Sequence, residues 1–383
     1  MKQKAAMILA AMPLALASSP AIPADAPVPD EIPVALLIDL SNGQVLFERE
    51  AHRRFVPASV TKVMTAYTAF KLVDEGDLRL DMPYLYSAAL EDEWYAEGSN
   101  MFLRAGDRPT VAQLLLGITT ISGNDASVAM AMAATGSLDE WLDLMNANAR
   151  DLGMSDTHFG SPNGFPDDGQ TYTTASDLAI LAEAITQRYP GLYGRFFGHR
   201  SLRWRDIAQA NHDPVTGRVE GADGLKTGYT NEAGYTFLGS AERAGRRLVM
   251  VIAGSPDQTL RDEASRALLE WGFDGFDRRT LLAQGSRIGS AEVQEGAQAQ
   301  VNLQLPADFT IAIPEGAETG RWQIDIVYRG PIQAPIAAGD TIARLRLTID
   351  GESVLEAPLE AAEDVSKANA FQRIANAFSR WIA

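Results

Sequence analysis

Pro57-Ala58-Ser59-Val60-Thr61-Lys62-Val63-Met64-Thr65 opens a stretch in which Val60, Val63, Met64 and Tyr67 recur at helical spacing. The pattern predicts a helix beginning near Pro57. Proline is tolerated in a first turn, where its missing N–H has no partner to lose. Ser59 and Lys62 then stand three residues apart on one helix face. A serine hydroxyl is a weak nucleophile until a neighbouring base takes its proton. A lysine can be that base only when neutral, several units below its usual pKa of about 10.4. Burial and a second nearby cation both push that way. Taken alone, Ser-x-x-Lys equally fits a helix cap followed by a surface lysine.

Outward from this stretch, Val34 to Phe47 reads as a hairpin around Ser41-Asn42-Gly43. Apolar helices cover about Val111 to Thr119 and Ala126 to Ala134, interrupted at Ser122-Gly123-Asn124. Trp141 to Leu152 is helical and stops at Gly153. Thr174-x-x-Asp177 predicts a capping box opening the helix Leu178 to Ile185. Gly224 to Tyr229, Gly234 to Ala241 and Arg247 to Ala253 read as strands. Leu260, Ala264, Leu268 and Trp271 mark a further helix, ended by Gly272. After Phe276 the pattern becomes short and alternating. Trp322, Ile324, Ile326 and Tyr328 share one face, and Leu345, Leu347 and Ile349 alternate with Arg344, Arg346 and Thr348. A small all-β domain is expected there.

Composition narrows the chemistry. The 383 residues include 46% hydrophobic ones, enough for a buried core, and no cysteine. No disulfide, zinc ribbon, iron–sulfur cluster or thiol nucleophile can therefore be built. A formal charge of −17 argues against nucleic-acid partners, which call for a basic surface. The four histidines lack HExxH spacing, so neither metal nor other cofactor is expected.

The chain ends carry signals of their own. Lys2 and Lys4 precede the apolar run Ala5 to Ala17, with small-residue cleavage sites at Ala15-Leu16-Ala17 and after Ala24. Residues 1–24 are expected to be a secretory signal peptide, too short to span a bilayer. Its removal takes two lysines and no acid, shifting the charge from −17 to −19. In Val365 to Ala383, Phe371, Ile374, Phe378, Trp381 and Ile382 recur at helical spacing, with Lys367, Arg373 and Arg380 and no acid. An amphipathic helix lying in the membrane headgroups is expected, with packing on the β domain as the alternative.

Two more motifs carry chemistry. Ser122-Gly123-Asn124 sits between two apolar helices, where polar side chains can project into a cleft; alone, it also fits a simple turn. Lys226-Thr227-Gly228 lies on a strand, where a lysine and a threonine could hold a carboxylate. Gly228 would clear a path for substrate backbone. Alone, it also fits an exposed edge lysine. Ser-x-x-Lys, then Ser-x-Asn about 60 residues on, then Lys-Thr-Gly about 100 beyond, is the order found in penicillin-recognising serine enzymes. Leu152-Gly153-Met154, Thr157-His158-Phe159, Pro162-Asn163-Gly164 and Asp223-Gly224-Leu225-Lys226-Thr227-Gly228-Tyr229-Thr230 narrow the likeness. Together they resemble the D-alanyl-D-alanine carboxypeptidases, the low-molecular-weight penicillin-binding proteins of the S11 peptidase family. Gly330-Pro331-Ile332 and Ala334-Pro335-Ile336 resemble the β domain that follows in that family, so the likeness covers about residues 30–383.

The resemblance implies an α/β penicillin-binding/β-lactamase-like transpeptidase domain over residues 25–276, an antiparallel sheet packed by helices plus a helical subdomain. An all-β domain over 277–360 and an amphipathic helix over 361–383 follow. It implies Ser59 as acylated nucleophile, Lys62 as proton acceptor, and Ser122 and Asn124 on the opposite wall. Lys226 and Thr227 would bind the terminal carboxylate beside Gly228, with Ser59 and Tyr229 N–H groups as the oxyanion hole. Expected partners are stem peptides ending in D-Ala-D-Ala, β-lactams and the cytoplasmic membrane surface, on its periplasmic side.

One departure concerns Asn211-His212-Asp213-Pro214, where relatives often carry Asn-x-Asn with a basic middle residue. His212 either replaces that cation or belongs to an ordinary loop; His158 reads as a packed residue, and His52 and His199 as uninvolved. DD-endopeptidase activity on cross-links is the nearest alternative function. A class A β-lactamase would need a deacylating glutamate, and none lies between Glu140 and Glu183. An idle β-lactam-binding module is the remaining alternative.

Overall fold

A computed structural model describes residues 26–316 and 320–369. These divide into two units, one of residues 26–41 and 45–274, the other of 42–44 with 275–316 and 320–369. The first unit begins with the hairpin β1 (Val34–Asp39) and β2 (Gln44–Arg49), turned through Gly43 at φ +78°. Helices α1 (Lys62–Glu75), α2 (Ala88–Trp94), α3 (Val111–Ile121), α4 (Asn124–Ala134), α5 (Leu138–Leu152), α6 (Ala175–Arg188) and α7 (Pro190–Phe196) follow. A small hairpin, β3 (Ser201–Trp204) and β4 (Ile207–Ala210), precedes β5 (Ala222–Thr230), β6 (Gly234–Arg243), β7 (Arg246–Ser255) and α8 (Gln258–Asp274). The sheet runs in the order β2-β1-β7-β6-β5, leaving β5 on an edge.

One face of that sheet, through Val34, Leu36, Val249 and Val251, joins a helical core containing Val63, Phe70, Leu114, Ile118, Trp141 and Leu181. Helix α8 lies along β7, β6 and β1. A Cβ at Gly272 would sit 2.7 Å from Leu37 Cδ2 and 2.8 Å from Leu248 Cδ1. That glycine permits close helix–sheet packing, and α8 runs through it to Asp274 instead of stopping there.

Side chains at the helix starts explain where the elements begin. At α3, Gln113 N donates to Thr110 Oγ1 (3.3 Å) and Thr110 N to Gln113 Oε1 (2.9 Å), a reciprocal box. At α6 only half of the expected box forms: Asp177 N donates to Thr174 Oγ1 (3.1 Å). The Asp177 carboxylate accepts from Asp156 N and the Thr157 hydroxyl instead. Helix α1 starts at Lys62, after a tight 3-10 turn over Ala58–Thr61, rather than at Pro57. Residues 62–70 are all buried, so Lys62 enters the core.

The second unit contains β8 (Phe276–Leu282), β9 (Arg287–Gln294), β10 (Gln300–Gln304), β11 (Phe309–Pro314), β12 (Trp322–Val327), β13 (Ile332–Gln333), β14 (Thr341–Ile349) and β15 (Glu352–Ala361). Its main sheet has the order β12-β14-β15-β10-β9-β13, and β11 pairs with β8. Leu345, Leu347 and Ile349 are buried with Leu303, Leu355 and Leu359, as the alternation predicts.

The expected C-terminal helix is corrected at its start. Residues up to Ala361 belong to β15. Val365 pairs with Ile336 and Lys367 with Gly296 in antiparallel bridges. Backbone partners at Ile336 and Gly296 outcompete helical propensity there. The remainder of that expectation, residues 370–383, and the expected signal peptide lie outside the described residues. Among the described residues no helix is long and apolar enough to cross a membrane.

Candidate active site

Ala58 adopts φ +48°, a left-handed conformation that costs a non-glycine residue on the order of 1 kcal/mol or more, immediately before Ser59. Its neighbours hold it there. A Cβ at Gly164 would overlap the Ala58 carbonyl, and one at Gly228 would sit 2.5 Å from Pro57 O and 3.2 Å from Ser59 N. Gly228 is therefore required by the chain's own turn at Pro57–Ser59, which takes the room that the sequence assigns to substrate backbone. The same approach sets the edge strand β5 against the Ser59 N–H.

Lys62 Nζ is the hub. It lies 2.9 Å from Ser59 Oγ, 2.8 Å from Asn124 Oδ1 and 2.6 Å from the Asn163 carbonyl. The residue is only 1% exposed. Burial pushes its amine well below the usual lysine range, the nearby Lys226 pushes it further, and Asp125 opposes both. A neutral amine has two N–H donors and one lone pair. With Asn124 Oδ1 and Asn163 O taking the donors, the lone pair is left for the Ser59 hydroxyl. The Asn124 amide is oriented for this, because its Nδ2 donates to Glu97 O at 2.9 Å.

The surrounding backbone is fixed by groups the sequence does not single out. Asn124 N donates to Ser99 O (2.8 Å). Buried Asp125 accepts from Met101 N (2.8 Å) and Leu103 N (3.0 Å), pinning that segment against α4. Burial pushes the Asp125 carboxyl up, and these N–H groups pull against it. Thr65 Oγ1 donates to Pro162 O (2.6 Å), bolting the Asn163 turn to α1. Ser122 closes α3 at φ +62°, buried, two residues ahead of Asn124 on this wall.

Lys226 is 5% exposed on β5, and its Nζ donates to Thr227 O at 2.9 Å. Burial first, then Arg261, lowers its pKa to about 7, with Asp213 opposing. Thr227 is half-buried beside it. Tyr229 is 51% exposed, and its ring packs on Tyr235 at 4.3 Å. His212 feels both Lys226 and Arg261, and burial together with these cations lowers its pKa. Its loop is tied down by Asp213 Oδ1, which accepts from Val215 N and Thr216 N. His158 is packed on Tyr172 and bonded to Gln170 O (2.8 Å).

Hydrogen bonds thus join Ser59, Lys62 and Asn124, Gly228 abuts the Pro57–Ser59 turn, and the Lys226 charge is felt at Lys62. Asp125, the Glu97 carbonyl and Arg261 are the additions, and Asn163, quoted only within Pro162-Asn163-Gly164, gains a role through its carbonyl.

Comparison with known proteins agrees with this geometry. Residues 26–257 match the D-alanyl-D-alanine carboxypeptidase family model, and residues 276–367 match that of the penicillin-binding protein 5 C-terminal domain. The chain is 32% identical to D-alanyl-D-alanine carboxypeptidase DacD of Salmonella typhimurium over 385 residues, covering 98% of each. Penicillin binding protein 5 of Haemophilus influenzae superposes with a TM-score of 0.75 at 29% identity, over 88% of this chain and 98% of that one. Penicillin-Binding Protein D2 of Listeria monocytogenes, solved in an ampicillin-bound form, gives 0.58 at 27% identity over 64% and 98%. The chain belongs to the D-alanyl-D-alanine carboxypeptidase family of serine peptidases.

Proposed function

We propose that the protein removes the terminal D-alanine from peptidoglycan stem peptides through an ester on Ser59. The observation that carries this reading is the buried amine of Lys62, 2.9 Å from Ser59 Oγ, with its pKa pushed well below the usual lysine range by burial and Lys226. Ser59 Oγ attacks the penultimate D-alanine carbonyl and passes its proton to Lys62 Nζ. The Ser59 and Tyr229 N–H groups receive the oxyanion, the type of preorganised donor that contributes most to such reactions. The peptide C–N bond breaks as its nitrogen takes the proton from Lys62 Nζ, relayed through the Ser122 hydroxyl. Water then attacks the ester and gives its proton to Lys62, which returns it to Ser59 Oγ as the ester bond breaks and the shortened peptide leaves. Lys226 and Thr227 hold the C-terminal carboxylate, a local positive field within an acidic protein.

A β-lactam enters the same route, but its broken amide stays tethered, so the blocked ester persists. D-alanine release from an N-acylated D-Ala-D-Ala peptide tests the assignment. Ser59→Ala should abolish release while a cooperative melting transition remains; retained release removes the reading.

Export and attachment to the outer face of the cytoplasmic membrane complete the proposal. Lys2 and Lys4 before Ala5–Ala17 support export, and the spacing of Phe371, Ile374, Phe378, Trp381 and Ile382 supports attachment. Deleting residues 370–383 should move the protein from the membrane pellet to the soluble fraction; a truncation that still sediments contradicts the anchor.

A further inference from the structure

The small hairpin β3–β4 is bonded to the surroundings of both groups of site residues. On one side it meets residues 97–103, the segment that fixes Asn124 and Asp125 through Glu97 O, Ser99 O, Met101 N and Leu103 N. Asn100 lies in the middle of that segment and is only 2% exposed. Its side chain is used up locally: Nδ2 donates to Trp94 O at 2.5 Å, and Oδ1 accepts from Phe102 N at 2.9 Å. Its carbonyl accepts from Gln209 Nε2 on β4 at 3.0 Å, across 109 residues of sequence. Arg205, in the turn of the hairpin, pairs with Asp107 a little further along the same stretch.

On the other side, β4 leads into the loop beside Lys226. Asn211 closes the base of the hairpin, its N–H donating to Arg200 O and its Nδ2 to His199 O, each at 2.8 Å. Asn211 Oδ1 accepts from Asp213 N at 3.0 Å, so His212 is held between two residues tied to the hairpin. The Lys226 charge is felt at His212, and the Asp213 charge at Lys226. A ligand that carries both an anion for Lys226 and a carbonyl for Ser59 depends on how the two groups are held relative to one another. A misplacement of about 1 Å costs on the order of 100-fold in rate.

Resting on the carboxypeptidase reading above, we infer that Gln209 is a positioning residue: its bond to Asn100 ties the segment that holds Asn124, and through it Lys62, to the hairpin that carries the Lys226 loop. The tie acts on a ligand that uses both groups and is idle for one that uses Ser59 and Lys62 alone.

Benzylpenicillin, which joins a carboxylate to a reactive carbonyl, tests it in wild type, Gln209→Met, Lys226→Met and the double variant. Methionine keeps the length of glutamine and removes its donor. In the wild-type background Gln209→Met should lower the second-order acylation constant about tenfold, equivalent to about 1.4 kcal/mol. In the Lys226→Met background the loss should be no more than about twofold, the non-additivity that marks coupled residues. The methyl ester of benzylpenicillin, which lacks the anion, gives a second arm with Lys226 intact, and its acylation rate should be equally insensitive to Gln209→Met. Melting should stay cooperative in all four proteins. A merely structural loosening slows every arm by the same factor; that result, or no slowing in the wild-type background, overturns the tie. If wild type takes up no benzylpenicillin on Ser59, the carboxypeptidase reading itself fails.

Discussion

Replacing Lys226 with methionine should stabilise the fold at pH 6 while it impairs turnover of peptides with a free C-terminal carboxylate. In the folded protein this amine titrates near 7 instead of 10.5, because burial removes its hydration and Arg261 stands close. Its folded pKa lies below the unfolded one, so between about pH 7 and 10.5 the unfolded chain binds the extra proton. Stability therefore rises with pH across that window, and the full cost of the buried charge is present below it. A shift of about 3.5 units, at 1.36 kcal/mol each, comes to about 5 kcal/mol. Methionine has a similar linear shape and no charge, but loses the 2.9 Å bond to Thr227 O, worth about 1 kcal/mol. The net gain at pH 6 is about 4 kcal/mol, shrinking and then reversing near pH 10.5. Urea unfolding of both proteins at pH 6, 8 and 10 measures the difference. A variant no more stable than wild type at pH 6, or a difference that ignores pH, refutes the reasoning.

The same amine should shape the pH–rate profile. In the proposed mechanism free enzyme binds a C-terminal anion while Lys226 is charged, so kcat/KM should fall as pH rises through about 7. Under saturating substrate that limb should move upward, because the bound carboxylate favours the charged amine. Asp125→Ala would leave the Met101 and Leu103 N–H groups buried without their acceptor. A loss of about 3 kcal/mol in urea unfolding is expected. Gly228→Ala would drive a methyl group to within 2.5 Å of Pro57 O and displace the nucleophile turn. Penicillin acylation should slow on the order of 100-fold, read by stopped-flow labelling, with melting still cooperative.

Much of the catalytic domain was legible because its motifs are local. Ser59 and Lys62 stand three residues apart, a spacing that the 3-10 turn and the start of α1 turn into contact, and Val60, Val63, Met64 and Tyr67 announce the helix that buries Lys62. The partners that finish the site were hidden for a physical reason. Asn163 and Glu97 act through backbone carbonyls, and every residue has one, so identity carries no signal. Asp125 reads as part of a turn until Met101 and Leu103 arrive from another segment to use its carboxylate. Gly228 and Gly272 were visible as glycines, but what approaches them depends on tertiary packing: the nucleophile turn in one case, Leu37 and Leu248 in the other. The C-terminal pattern misled at Val365 and Lys367 because periodicity cannot foresee the backbone partners that Ile336 and Gly296 offer them.

Peptide mapping by mass spectrometry after brief benzylpenicillin treatment tests the central chemistry most directly. One penicilloyl group per chain should appear, on the peptide containing Ser59, and should vanish in both Ser59→Ala and Lys62→Met. An adduct on any other residue, or undiminished modification without the Lys62 amine, would contradict a serine activated by that base.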